Sequence, residues 1–316
     1  MITLEKIIES RRRIQSSIYR TPLEKSMHLS NKKQEVFLKL EAQQRLKSFK
    51  IRGAMSKLTS LTKEERKRGV ITVSSGNHGA GVSYGASLMG DVDATVVVPE
   101  TTPLSKVEKI RYYGAKVIQR GQNYDGANQF AKELIRKEGL IFIDPCSDED
   151  VIAGHGSMGL EILEDLENVE TVLVPIGGGG MITGISVAIK SKHPKVRIVG
   201  VQTAACPAMV KSLEENIFYE EYPTEASLCD ALVGGVGEIP YKLAQNTIDD
   251  ILVVSEEAIK EATRHLLVKE KVVAEPSGAV GIAAIQEMSE KIPGVRVVSL
   301  ISGGNLDEDL MKKLLK

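Results

Sequence analysis

Short runs rich in β-branched residues alternate with stretches of helical period along nearly the whole chain, and that alternation confines it to layered α/β folds built around mostly parallel sheets. Val36–Leu40, Val70–Val73, Ala94–Val98, Lys116–Gln119, Leu140–Ile143, Thr171–Val174, Val196–Val201, Ile251–Val254 and Val295–Leu300 are the expected strands. Helices are expected over Leu4–Gln15, Lys106–Tyr112, Tyr124–Lys137, Leu160–Leu166 and Glu256–Val268. Within Tyr124–Lys137, Ala127, Phe130, Ala131, Leu134 and Ile135 recur at the spacing of one buried helical face. At roughly 150 residues per domain the 316 residues allow about two domains, and no repeat or long flexible linker divides them. Short connections near residues 60–70 and 144–150 are the expected crossings.

Charge narrows the partners. Lysine plus arginine (41) nearly cancels aspartate plus glutamate (42), so no broad field attracts nucleic acid or anionic membranes, and 4% aromatic residues with no tryptophan leave few platforms for stacking bases. Cys146, Cys206 and Cys229 are odd in number and widely spaced, with neither a disulfide framework nor a CxxC pattern, which fits a reducing cytoplasm. Charges interrupt every apolar stretch of the N-terminus, so no secretory signal is expected. One uncharged run, Thr171 to Ile189, is long enough to raise a membrane span. Pro175 and Gly177 to Gly180 would break a lipid-exposed helix there, so the run reads as strand, loop and helix.

Counting Gly85 with the first, fourteen of the 28 glycines fall in four stretches, three of which follow an expected strand, where open α/β sheets present their ligand crevices. The first is Ser74-Ser75-Gly76-Asn77-His78-Gly79-Ala80-Gly81; the second is Gly177-Gly178-Gly179-Gly180-Met181, leading into a helix with Gly184; the third is Ser302-Gly303-Gly304-Asn305. Gly234-Gly235-Val236-Gly237 follows no expected strand. Four consecutive glycines allow several N–H groups to converge, and a helix N-terminus behind them favours an anion, so phosphate is the expected guest. Neither GxGxxG nor GxxxxGK[ST] fits, which turns the reading away from dinucleotides and P-loop nucleotides.

Lys50, in Ser48-Phe49-Lys50-Ile51-Arg52-Gly53-Ala54, gains meaning from its company. That lysine, the asparagine-containing glycine loop, the tetraglycine run and Ser302-Gly303-Gly304-Asn305 occur in this order. Val98-Pro99-Glu100, Tyr113-Gly114-Ala115, Ile152-Ala153-Gly154 and Glu275-Pro276-Ser277-Gly278-Ala279 accompany them. Together they resemble the fold-type II pyridoxal-phosphate enzymes over nearly the whole chain, and within these the threonine/serine dehydratase and serine racemase group. The resemblance implies two open, mostly parallel twisted sheets with flanking helices, as in the tryptophan synthase beta-like fold. It places a large domain at residues 1–67 and 146–316, a small one at 68–145, pyridoxal 5'-phosphate in the cleft between them, and a homodimer.

The resemblance also implies roles. Lys50 would carry the cofactor and then take the α-proton, with Phe49 packed beside the ring. Gly177, Gly178, Gly179, Gly180 and Met181 would hold the phosphate, Asn77 the ring hydroxyl, and Ser302 the pyridine nitrogen. Ser74, Ser75, Asn77, His78 and Gly79 would bind the substrate. A neutral serine cannot strongly stabilise a protonated pyridine, so β-elimination is favoured over transamination. The implied reaction converts L-threonine, L-serine or a related β-hydroxy amino acid to a 2-oxo acid and ammonia. Ser75 supports the alternative, a serine-type racemase with side elimination, because a second base opposite Lys50 lets a proton leave one face and return to the other.

Some positions depart from the family pattern. Lys47 stands where glycine is usual, and Cys229-Asp230-Ala231 replaces Ala-Asp-Gly. Gln202 and Ala208 stand where divalent-cation members carry acids, and a hard cation prefers carboxylates, so no metal site is expected. His28, His155, His193 and His265 lack metal-ligand spacing and read as structural or surface residues. Eleven residues follow Asn305, so feedback inhibition through a C-terminal effector domain is not expected.

Overall fold

The computed structural model describes residues 1–315. Its strands are β1 (Leu23–Lys25), β2 (Glu35–Lys39), β3 (Val70–Val73), β4 (Ala94–Val98), β5 (Lys116–Gln119), β6 (Ile141–Phe142), β7 (Thr171–Pro175), β8 (Arg197–Thr203), β9 (Asp250–Val254) and β10 (Arg296–Leu300). They form one sheet of order β1-β2-β10-β7-β8-β9 and a second of order β5-β4-β3-β6. Every pairing is parallel except β1 with β2. Parallel neighbours need crossover connections, and these are the helices that cover the faces. All residues of β3 and β7 are buried, as expected of central strands covered on both sides.

The first sheet draws on residues 23–39 and 171–300, and the second on residues 70–142 only. Helix Pro276–Glu287 packs Ala279, Val280 and Ala283 with Val199, Val201 and Val254 of the first sheet. Met181, Ile182 and Ile185 of helix Gly180–Lys192 join Val172, Val174 and Ile198 in another cluster. Helix Lys50–Ser60 sends Ile51, Ala54, Met55 and Leu58 into the core of the second sheet, beside Val82 and Ala86 of helix Asn77–Met89. The residue that opens this helix, Lys50, therefore sits where the two halves meet.

Most expected elements recur with shifts of one or two residues at their ends, the ordinary scatter of fraying termini. Two expectations need correction. The helix expected at Leu160–Leu166 runs from Glu149 to Asp165, and Gly154, Gly156 and Gly159 within it let neighbouring helices approach closely. A side chain at Gly154 would run into the Arg52 carbonyl. The strand expected at Leu140–Ile143 pairs only over Ile141–Phe142 at an edge, although Ile143 N still donates to Ile71 O. Edge strand β1 had no sequence signal, being three residues of which two are charged. The uncharged run from Thr171 divides into β7, a glycine loop and helix Gly180–Lys192, and no helix among the described residues is long and apolar enough to cross a membrane.

Candidate active site

Three of the loops that carry chemistry leave the C-terminal ends of β3, β7 and β10, where parallel sheets direct their crossovers outward. The β10 loop is bound to the segment before Lys50: Ser48 bridges Gly303, Phe49 N donates to Ser302 O at 3.1 Å, and Gly304 N donates to Lys47 O at 2.8 Å. Lys50 then begins its helix. Its Nζ reaches the Pro145 carbonyl at 3.4 Å and lies 5.2 Å from the centre of the Phe49 ring.

Pro145 leads directly to the tetraglycine loop. The Sγ of the next residue, Cys146, occupies the place where a side chain on Gly178 would fall, and a Cβ on Gly180 would stand 3.0 Å from the Cys146 carbonyl. Gly179 adopts φ +89°, which an L side chain resists. Behind the loop, helix Gly180–Lys192 makes its first backward bond from Thr183 N to Gly179 O, so the N–H groups of Gly180, Met181 and Ile182 have no carbonyl one turn back to bind. Gly237 N donates to Gly178 O, and the Ala231 carbonyl is 3.0 Å from a Cβ placed on Gly177. The fourth glycine cluster and the Cys229-Asp230-Ala231 departure thus border the same loop, which the lack of a preceding strand had hidden.

The β3 loop supplies Ser74 and Ser75, both half-buried, before helix Asn77–Met89. Ser74 Oγ accepts from Gly76 N at 3.3 Å, whereas Ser75 Oγ makes no hydrogen bond to a described residue. His78 is 2% exposed, and its Nε2 bonds the Ile143 carbonyl at 3.2 Å beneath the turn. Its Nδ1 is buried without a hydrogen-bond partner among the described residues. Burial, helped by the Lys50 ammonium, pulls its imidazole down to about 3, so the ring is neutral at ordinary pH. His155 is fully buried with both ring nitrogens unpaired, its ring 4.8 Å from that of Phe49. Burial and the Lys50 charge hold it well below the usual histidine range.

Asn77 lies in a polar network that sequence did not assemble. Its Nδ2 donates to Glu275 Oε1 at 2.9 Å, and its Oδ1 accepts from Asn305 Nδ2 at 2.7 Å. Glu275 is 7% exposed, and burial raises its carboxyl to about 7. The advance signals were its place in the Glu275-Pro276-Ser277-Gly278-Ala279 motif and its being a lone acid in the otherwise uncharged run Val272–Gln286, and neither pointed to Asn77. A side chain on Gly303 would overlap the Glu275 carboxylate, so this glycine is required by the acid behind it. Lys47 is exposed, with φ +58°, which explains why glycine suits that position. Gln202 is occupied internally: its Oε1 accepts from Met209 N and Val210 N, both at 3.1 Å, at the start of helix Ala208–Glu215.

A family model described as "Pyridoxal-phosphate dependent enzyme" matches residues 14–303. The chain belongs to that family. It is 44% identical over 317 aligned residues to the L-threonine ammonia-lyase of Thermotoga maritima, covering 100% of this chain and 78% of the relative. Among solved structures, the processed form of threonine deaminase isoform 2 from Solanum lycopersicum superposes with a TM-score of 0.90 at 32% identity, covering 98% of this chain and 92% of the other. Maize serine racemase superposes with a TM-score of 0.92 at 30% identity, covering 99% and 97%.

The cofactor of the family is pyridoxal phosphate, and the residues present fit it. The tetraglycine loop is a cradle that side chains would fill, it opens onto a helix N-terminus suited to a phosphate, and a lysine amine stands beside its Cys146 flank.

Proposed function

We propose that this enzyme is a threonine/serine ammonia-lyase that converts L-threonine, L-serine or a related β-hydroxy amino acid to the 2-oxo acid and ammonia. The observation that carries the reading is the 44% identity, over the whole of this chain and 78% of the relative, to an L-threonine ammonia-lyase, because backbone similarity of 0.90 to a deaminase and 0.92 to a racemase does not separate the two reactions.

Bound pyridoxal phosphate supplies the electron sink that makes the substrate Cα–H bond acidic. The chain must hold that group, direct which bond breaks and handle the protons. Gly177 to Gly180 and Met181 would hold the phosphate through backbone N–H groups and the helix dipole. Asn77 would donate to the ring hydroxyl and Ser302 would offer the ring nitrogen a neutral hydroxyl, while Phe49 lies beside Lys50. The backbone N–H groups of the Ser74–Gly79 turn, with the Ser74 and Ser75 hydroxyls, would receive the substrate carboxylate and so orient the Cα–H bond toward the Lys50 amine. Lys50 Nζ takes the α-proton. The departing hydroxyl takes up a proton equivalent to the one Lys50 accepted and leaves as water, and hydrolysis of the resulting enamine by one water releases ammonia, so no oxidant or reductant is required.

Coupled detection of 2-oxo acid across L-serine, L-threonine, threo-3-hydroxyaspartate and phenylserine tests the reaction. Product is expected from at least one, and the visible band of the bound cofactor and the product should both disappear in Lys50→Ala. Absence of 2-oxo acid from all four would overturn the lyase reading. Ser75, with its uncommitted hydroxyl, supports racemisation as the second reading. Chiral analysis should then find D-enantiomer that Ser75→Ala removes. Family resemblance further supports a homodimer, to be checked by sedimentation, and three free cysteines support a reducing cytoplasmic location.

A further inference from the structure

We propose that Glu275, Asn305 and Lys109 are positioning residues that fix which way the Asn77 side-chain amide points. The inference rests on the reading that Asn77 meets the cofactor ring.

A primary amide has one acceptor oxygen and two N–H donors on groups of nearly equal shape, so its orientation is set only by neighbours of known polarity. Two such neighbours hold Asn305. The Lys109 ammonium, which has donors only, meets its Oδ1 at 2.7 Å, and the Leu46 carbonyl, which can only accept, meets its Nδ2 at 2.9 Å. Asn305 therefore cannot flip without opposing donor to donor and acceptor to acceptor. Its second Nδ2 hydrogen goes to Asn77 Oδ1 at 2.7 Å, which transfers the constraint to Asn77. On the other side Asn77 Nδ2 gives one hydrogen to Glu275, at 2.9 Å to Oε1 and 3.3 Å to Oε2. One N–H remains on Asn77, and it is the atom the network leaves for the cofactor.

The network crosses the two halves of the molecule. Lys109 belongs to helix Leu104–Tyr112, which follows β4 of the second sheet, whereas Asn305 and Glu275 flank β10 and helix Pro276–Glu287 of the first. Lys106, one turn before Lys109, pairs with Asp230 at 3.0 Å, so the same helix makes a second contact across. Orientation of Asn77 thus depends on the two halves being together.

The test compares Asn305→Asp, Glu275→Leu, Glu275→Gln and Lys109→Met as purified proteins loaded with pyridoxal phosphate. Cofactor affinity and the position of the visible band are read alongside kcat/KM for L-threonine. Asn305→Asp and Glu275→Leu are expected to weaken cofactor binding about tenfold or more and to shift the band, as loss of a buried hydrogen-bond partner implies. Lys109→Met should shift both in the same direction by less, and its half-buried helix position keeps the test open should Glu275→Leu not fold. Glu275→Gln, whose amide oxygen still accepts from Asn77, should stay within about threefold of wild type. Asn305→Asp and Lys109→Met with wild-type band and affinity would overturn the inference, as would a Glu275→Gln that falls as far as Glu275→Leu. Wild-type protein lacking a band that Lys50→Ala removes would instead overturn the site reading beneath it.

Discussion

Burial and the Lys50 ammonium both act on His78 in the direction of the neutral ring, lowering it to about 3. An unfolded chain takes up that proton near pH 6.5 while the folded one does not, so this residue's stability contribution is complete above about 6.5 and is lost as pH falls toward 3. Glu275 has the opposite sign. Its carboxyl is raised by burial to about 7, so its contribution is complete below the ordinary value near 4.5 and is lost as pH rises through 7. Thermal unfolding of wild type and His78→Gln should separate the two terms. The stability advantage of wild type is expected to shrink from about pH 7 to about pH 5, and a gap independent of pH would show that the ring is not held neutral.

Among the elements, the turn before Lys50 and the tetraglycine loop carry the sharpest expectations. Leu46 and Lys47 lie at φ +60° and +58°, in the left-handed region that costs an L residue about 1–2 kcal/mol. Glycine relieves that cost but has a freer unfolded state, so Lys47→Gly should stabilise by up to about 1 kcal/mol in urea unfolding. In the other loop, Gly178→Ala places a methyl group on Cys146 Sγ. Cofactor affinity is expected to fall about tenfold or more, with partial recovery in Gly178→Ala/Cys146→Ala. Both loops were legible as motifs because glycine runs at strand ends are local signals. Helix Glu149–Asp165 was only half legible, since glycines in a helix and glycines that break one look alike until the neighbouring helix is seen.

The whole molecule is tied together by charge as well as by its apolar cores. Arg52, fully buried two residues after Lys50, binds Glu41 at 2.8 Å and Glu161 at 2.7 Å, and Lys39 of β2 also reaches Glu161 at 2.7 Å. Burial pushes Glu161 up, but Arg52 and Lys39 outweigh it and hold the carboxyl below its usual range. Arg52→Met would leave Glu41 buried without that partner, and is expected to destabilise by about 3–5 kcal/mol in denaturant unfolding. A loss below about 1 kcal/mol would show that the network does not join the Lys50 helix to the rest.

Sequence by itself determined the layered α/β class, the strands of both sheets apart from β1, and the glycine loops, because periodicity and glycine runs depend on neighbours a few residues apart. Only the tertiary structure decided that Glu275, Asn305 and Lys109 surround Asn77 and that Cys146 backs the tetraglycine loop. It also placed the Gly234–Gly237 stretch beside that loop. These groups are separated by tens to hundreds of residues along the chain. Their polarity has meaning only against the partner that folding brings within hydrogen-bond reach.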